Sequence, residues 1–308
     1  MTHYDVLIPG NYFCDIIFTG LPTFPALGTE IYTDGLTVVP GGVLNTVIAL
    51  QRLGLQVGWC GFLGNDFFSQ FISTFIHAEG VDTTLIDYQN APLRRVTVAL
   101  SYPEDRAFVT HVDPPPDVIG RLLAEYSRFS FQHLHLNRLY VDERLPEFLR
   151  ELRERGITIS MDCQHRHETL DSPLVKTMLA LVDMFMPNAI EAQRLTQTDS
   201  VEKAAAILKD LVPLLVIKDG GNGAYAWHRG EKWHIPAMEL TPLDTTGAGD
   251  VFNAGFLSAW LKKLPINDCL LWGNICGGLS TQGYGGCSAA PSRTQVETLL
   301  SNGAYPAI

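Results

Sequence analysis

The run Asp244-Thr-Thr-Gly-Ala-Gly-Asp250 sets a carboxylate directly after three small residues, and an apolar run from Val251 to Leu261 follows at once. This pattern predicts a loop entering the N-terminus of a buried helix. At such an end the first backbone N–H groups have no intrahelical partner and the helix dipole is positive, so an anion can be held without a cationic side chain. Gly247, Ala248 and Gly249 let the backbone come close to that anion. Asp250 stands beside it, placed to take a proton from a hydroxyl as the hydroxyl attacks phosphorus, and the positive helix end is expected to keep it ionised at neutral pH. Phosphoryl transfer asks for little beyond positioning and charge stabilisation. A plain helix start with an acidic first turn would use the same residues, and the seven alone leave the two readings balanced.

The longer string from Asp244 to Gly255 resembles the C-terminal signature of the ribokinase-like (PfkB) family of carbohydrate and nucleoside kinases. The resemblance implies that Asp250 is the catalytic base and that the Gly247, Ala248 and Gly249 amides form the anion hole for the transferred phosphoryl group. It also implies an α/β fold, a three-layer α/β/α domain with a mostly parallel sheet over residues 1–308, and a small β-sheet lid.

The elements that must position this loop are read from the rest of the chain. Tyr4 to Ile8 is a buried strand ending in the turn Pro9-Gly-Asn11, with Asp15 just beyond, and ligands of open α/β sheets sit at the carboxyl ends of strands. The resemblance makes Asn11 and Asp15 sugar contacts, although Asp15 read alone would be a turn residue. Short apolar stretches broken by Gly, Pro and Thr run from Ile16 to Val39, and a second β-rich region, turning at Pro103-Glu-Asp105, follows Arg94. These two insertions, 12–39 and 91–112, are expected to form one small sheet over the main domain; by resemblance it is the lid and a homodimer surface. Gly41-Gly42-Val-Leu-Asn45 introduces a helix and resembles the family's N-terminal signature, which implies that Gly41, Gly42 and Asn45 contact the sugar. Val43 departs from the Gly or Ala usual there and leaves the particular substrate open.

From Leu122 onward, helix and strand patterns alternate, with a helix at Leu122 to Phe129 and strands at His133 to Leu136, Ile157 to Met161 and Val182 to Met186, which implies a parallel sheet with crossover helices. His133 and His135 share one side of their strand and read as packing or substrate contact rather than metal ligands. Asp162-Cys-Gln-His-Arg166 resembles the family's Asp-x-Asn-x-Arg run, with Gln164 in place of Asn, and puts Asp162 and Arg166 near the cleft. Asn188-x-x-Glu191 can form a capping box; in the family the same motif organises water around the magnesium of ATP. Lys218 to Gly223 is a strand followed by a glycine-rich turn. Its context does not suit a dinucleotide fingerprint, which should open a helix. By resemblance Asn188, Lys218, Gly220, Gly223, Thr245 and Asn274 belong to the ATP site, and Asp244 and Thr246 can hold a monovalent cation such as K+.

Composition limits the alternatives. The net charge is −11 with no basic run, which disfavours nucleic acid and anionic membrane as partners. The six scattered cysteines form no Cys-x-x-Cys pair, so reduced, buried thiols are expected. No stretch is apolar for 18 residues and none resembles a targeting segment, so a cytoplasmic protein is expected. No lysine follows a glycine, which excludes a P-loop, and His-Arg-Asp and Asp-Phe-Gly are absent, which excludes a protein kinase. The expectation is an ATP- and Mg2+-dependent kinase acting on a hydroxymethyl of an unphosphorylated sugar. A nucleoside kinase and an inactive sugar-binding homologue are the alternatives; a nicotinamide oxidoreductase lacks its glycine fingerprint at Tyr4 to Asp15.

Overall fold

The computed structural model describes residues 2–102, 105–164 and 167–302. Strands β1 (His3–Pro9), β2 (Tyr12–Thr19), β3 (Gly35–Gly42), β4 (Val57–Leu63), β5 (Ile86–Tyr88), β6 (Arg95–Ser101) and β7 (Arg106–Val112) lie in the N-terminal part of the chain. They are followed by β8 (Ser130–Leu136), β9 (Thr158–Met161), β10 (Met184–Phe185), β11 (Leu214–Lys218), β12 (Ala224–His228) and β13 (Glu231–Ile235). The helices are α1 (Val43–Arg52), α2 (Phe67–Ala78), α3 (Val118–Glu125), α4 (Leu145–Glu154), α5 (Pro173–Leu181), α6 (Ala189–Thr196), α7 (Val201–Leu208), α8 (Ala248–Leu261), α9 (Ile266–Ser280) and α10 (Arg293–Ser301).

A large sheet of order β13-β12-β11-β10-β9-β8-β1-β4-β5 runs parallel from β11 to β5, and the hairpin β12-β13 adds an antiparallel edge. Strands covered on both faces read as continuous apolar runs. Val6 and Ile8 of β1 and Val216 of β11 join the core shared with α1, α2, α8 and α9, while Leu7 and Ile217 join the opposite core with α3 to α7. The molecule is therefore a three-layer α/β/α domain. Helices α8 and α9 are apolar around most of their circumference because both lie inside the first core.

Two elements differ from the sequence reading. The helix expected at Leu122 to Phe129 begins at Val118, where the Asp117 side chain caps it by accepting from the Gly120 N–H, and it gives way to a 3-10 turn at Tyr126–Arg128. The strand expected from Val182 to Met186 pairs only over Met184–Phe185. A second sheet, β3-β2-β6-β7, is built from the two β-rich insertions, with β2 parallel to β6 and antiparallel pairing elsewhere. Of the turn expected at Pro103-Glu-Asp105, Pro103 and Glu104 lie outside the described residues, as does Arg166. Among the described residues all six cysteines are free and buried, and no helix is long and apolar enough to cross a membrane.

Candidate active site

The loop before α8 takes the form expected for an anion hole. Gly247 is the N-cap of α8 with φ +68°, and a side-chain carbon there would collide with Gly286 and Asn45, so glycine is required on both counts. The Gly247 and Gly249 N–H groups have no acceptor among the described residues, whereas the Ala248 N–H makes a long bond of 3.3 Å to the Thr245 carbonyl. Directly beneath, the Lys218 ammonium would lie 3.5 Å from a side-chain carbon built on Gly249.

Asp250, in the first turn of α8, lines a cavity of about 340 Å³ between the large domain and the small sheet. The main-domain wall includes Asn45, Thr246 and Gly247; the small sheet contributes Phe13, Asp15, Ile17, Gly42, Thr97, Ala99, Phe108 and Thr110. Asn45 donates its Nδ2 to Asp250 Oδ2 at 2.9 Å, so it aims the carboxylate as well as lining the cavity. The helix end alone would keep Asp250 ionised, but its surroundings reverse that direction. Burial pushes its pKa up to about 7, and the neighbouring Asp162 and Glu191 carboxylates add to the rise against the lowering by Asn45 and Lys218.

Asp15 is also in the cavity wall. It is 9% exposed, its carboxylate accepts no hydrogen bond among the described residues, and burial followed by the nearby Asp244 raises its pKa to about 7. Gly41 is paired with Phe13 across the β2-β3 ladder, and a side chain there would occupy the space of the Asp15 carboxylate. Asn11, at the end of β1, accepts the Val43 N–H through its carbonyl and so fixes the entry into α1.

At the ends of β9 and β11 the structure brings together three residues that lie far apart in the chain. Lys218 Nζ donates to Asp162 Oδ2 at 2.9 Å and to Asn253 Oδ1 at 3.2 Å, while Asn253 Nδ2 donates to the same Asp162 oxygen at 2.6 Å. All three are buried. Burial alone would lower the Lys218 pKa, but Asp162, Glu191 and Asp250 around it hold it above its ordinary value. Asn188 and Glu191 form the full capping box at the start of α6, with reciprocal bonds of 2.8 Å, and Asn188 bridges to Lys218 across the strand ends. Gly220 and Gly223 bound the β11-β12 turn, which packs on the backbone after β13; Asn274 secures that backbone by donating to the Ile235 and Pro236 carbonyls, both at 2.9 Å.

Asp244 and Thr246 are occupied differently from the sequence expectation. The Asp244 carboxylate accepts from the Gly285 N–H, the Thr246 N–H and the Thr246 hydroxyl, and it pairs with Arg106 of β7, which also donates to the Thr245 hydroxyl at 2.9 Å. A guanidinium thus already balances this buried carboxylate. No pattern in the sequence tied Arg106 to this loop. The two strand histidines are buried in the sheet: His133 and His135 both hydrogen-bond the Ser160 hydroxyl at 2.7 Å, and burial lowers both pKa values to about 3.

Comparison with known proteins decides what this constellation belongs to. The description "pfkB family carbohydrate kinase" matches residues 24–293. The chain belongs to the pfkB family of carbohydrate kinases. It is 29% identical to the 2-dehydro-3-deoxygluconokinase of Bacillus subtilis (strain 168) over 278 residues, covering 85% of this chain and 86% of the relative. It is 28% identical to the aminoimidazole riboside kinase of Salmonella typhimurium over 288 residues, covering 85% and 88%. In fold it is similar to a putative ribokinase II from E. coli solved in complex with ATP and Mg2+, with a TM-score of 0.80, 21% identity, and coverage of 97% of this chain and 99% of that one. As a carbohydrate kinase the chain must bring an acceptor hydroxyl to a phosphoryl donor, and the cavity at Asp250 is bounded by both the small sheet and the Gly247 cap of α8.

Proposed function

We propose that this kinase transfers the γ-phosphoryl group of ATP to a hydroxymethyl group of an unphosphorylated sugar, with Asp250 as the base. The observation that carries the reading is the position of Asp250: it starts α8 beside the unpaired Gly247 and Gly249 amides, is aimed by Asn45, and opens onto a cavity with Asp15 in its wall. The acceptor lies under the small sheet, which serves as its lid, and Asp15 accepts from neutral hydroxyls. Asp250 removes the proton from the reacting hydroxymethyl as its oxygen attacks the γ-phosphorus. The Gly247 and Gly249 amides hold the transferred group, and Lys218 supplies positive charge beneath them. Asp162 and Asn253 fix Lys218 in place.

ATP is placed along the turn Gly220 to Gly223, beside Thr245, Asn188 and Asn274. Among the described residues no three His, Cys, Asp or Glu side chains converge as direct metal ligands. That donor set suits a magnesium ion carried by the nucleotide and held through water near Glu191, since Mg2+ retains much of its hydration. Magnesium there would offset phosphate charge among the carboxylates of Asp162, Glu191 and Asp250.

A second reading has a nucleoside as acceptor, supported by the apolar lid wall of Phe13, Ile17, Ala99 and Phe108 against which a base could lie. The outer face of the lid is also apolar: Leu36, Val38 and Val109 are exposed on it, which supports a homodimer formed through that face.

The test of the acceptor is ADP release on a panel of free sugars, nucleosides and their monophosphates at fixed ATP. A free sugar is expected to give the highest kcat/KM, and Asp15→Ala to raise its KM strongly with a smaller change in the KM for ATP. A clear preference for monophosphates overturns the unphosphorylated acceptor, and no ADP release with any compound overturns the kinase reading. The pH profile adds a second check. A base must be deprotonated to act, so kcat/KM for the acceptor is expected to fall on the acid side of an apparent pKa near the value of about 7 given to Asp250 by its surroundings. A profile flat to pH 5 would show that Asp250 has already lost its proton and that burial does not govern it.

A further inference from the structure

Two arginines near the cavity stand without an ion-pair partner among the described residues. Arg95, the first residue of β6, is 6% exposed, and its Nη2 is buried without a hydrogen-bond partner. Arg138, just past the end of β8, has a buried Nε in the same condition. Among the described residues neither forms a salt bridge, although nearby arginines do: Arg94 pairs with Asp113 and Arg106 with Asp244. Each instead lies toward an aromatic ring, Arg95 at 6.0 Å from the centre of Phe13 and Arg138 at 4.5 Å from that of Tyr140. An unpaired buried charge is costly, and a ring face recovers only a fraction of what a carboxylate would.

Their placement relates them to the acceptor. Side chains alternate along a strand, so Arg95 shares the inner face of β6 with Thr97 and Ala99, both of which line the cavity. Phe13, beneath its guanidinium, lines the cavity as well. The opposite end of the lid is marked by Arg106, whose ladder partner is Ser101, six residues beyond Arg95, and Arg106 holds the loop that leads to the anion hole. Arg95 therefore stands at the end of the lid remote from the phosphoryl-transfer loop. Arg138 reaches the same region from the carboxyl end of β8, and the two cations act on each other: burial first, then Arg138, holds the Arg95 pKa below its ordinary value against the opposing pull of Tyr12 and Asp113.

We propose that Arg95 and Arg138 form a subsite for an anionic group on the acceptor, at the end opposite the hydroxymethyl that is phosphorylated. The inference rests on the acceptor reading above, and with an unphosphorylated acceptor the anion is a carboxylate, so the substrate class is a sugar acid. A carboxylate matches the planar fork of a guanidinium and supplies the negative charge that the two cations lack as an ion-pair partner. Asp15 and the two lid threonines, Thr97 and Thr110, then face the hydroxyls between the two ends.

The experiment compares aldonic and 2-keto-3-deoxyaldonic acids with glucose and fructose and with the corresponding monophosphates, measuring kcat and KM for wild type, Arg95→Leu and Arg95→Lys. The sugar acids are expected to exceed the neutral sugars in kcat/KM. Arg95→Leu is expected to raise KM for the acids on the order of 10²-fold, as losing one partner of a buried charge pair does, and to leave the ranking of the neutral sugars unaltered; Arg95→Lys should recover part of the loss. If Arg95→Leu does not fold, Arg138→Leu carries the same comparison, because Arg138 is less buried. Equal use of acids and neutral sugars by wild type and variant overturns the subsite while leaving the kinase reading intact. A preference for monophosphates that is lost in Arg95→Leu keeps the subsite but replaces the carboxylate with a phosphate ester, and overturns the unphosphorylated acceptor.

Discussion

Asp250→Asn is expected to lower kcat on the order of 10²- to 10⁴-fold, the range over which a general base contributes, with far smaller changes in KM for acceptor and nucleotide. The asparagine keeps the size of the side chain and can still meet Asn45, which now bonds Asp250 Oδ2 at 2.9 Å. What is lost is the ability to take a proton. The substitution also removes one of the carboxylates that crowd this point, where Asp162 and Glu191 oppose the ionisation of Asp250. Thermal stability should therefore hold or rise while activity falls. Steady-state kinetics alongside a melting curve separates this from misfolding, and turnover near that of wild type would remove Asp250 from the base role.

Lys218→Met should act in the opposite sense on stability. Lys218 is the cation that Asp162 and Asn253 surround at 2.9 and 3.2 Å, and Glu191 and Asp250 lie within its field. Methionine fills the volume but strands the Asp162 carboxylate in a buried setting. Removing one partner of such a pair costs about 3–5 kcal/mol, read as a drop in the denaturant midpoint, and activity should fall as well because the charge beneath the Gly249 amide is gone. The double variant Lys218→Met, Asp162→Asn removes both charges and should regain part of the stability without regaining activity. If the double variant is as unstable as the single one, the ion pair is not what Lys218 contributes.

The part of the site that one local segment builds was legible in the sequence. Gly247 announces itself by residue type, because a left-handed cap pressed against Gly286 admits little else, and Asn188 with Glu191 announces a capping box by spacing. The layered fold was legible for a similar reason, since strands buried on both faces must be apolar throughout. What was not legible depends on strand ends meeting across the sheet. Asn253 reads as one more residue of an apolar helix until β9 and β11 bring Asp162 and Lys218 to it. Arg106 reads as a turn-edge residue until the lid folds onto Asp244. The ionisation of Asp250 was misjudged because the helix end was weighed alone, while burial and two carboxylates contributed by other strands and helices outweigh it.

The lid is held together thinly for its size. Its own buried core consists of Ile17, Val39 and Ala99, with Tyr284 of the main domain packed against them, and its parallel pair β2-β6 joins segments from opposite sides of α1, β4, α2 and β5. A sheet with so little apolar burial, closed over so long a stretch of chain, is expected to open at lower cost than unfolding the α/β layers. An acceptor bound beneath it contributes the surface that the lid lacks. Measured affinity for the sugar is then the product of an intrinsic contact and the fraction of molecules whose lid is already closed, so a substitution on the outer face of the lid, far from any sugar contact, can change apparent affinity by changing that fraction alone.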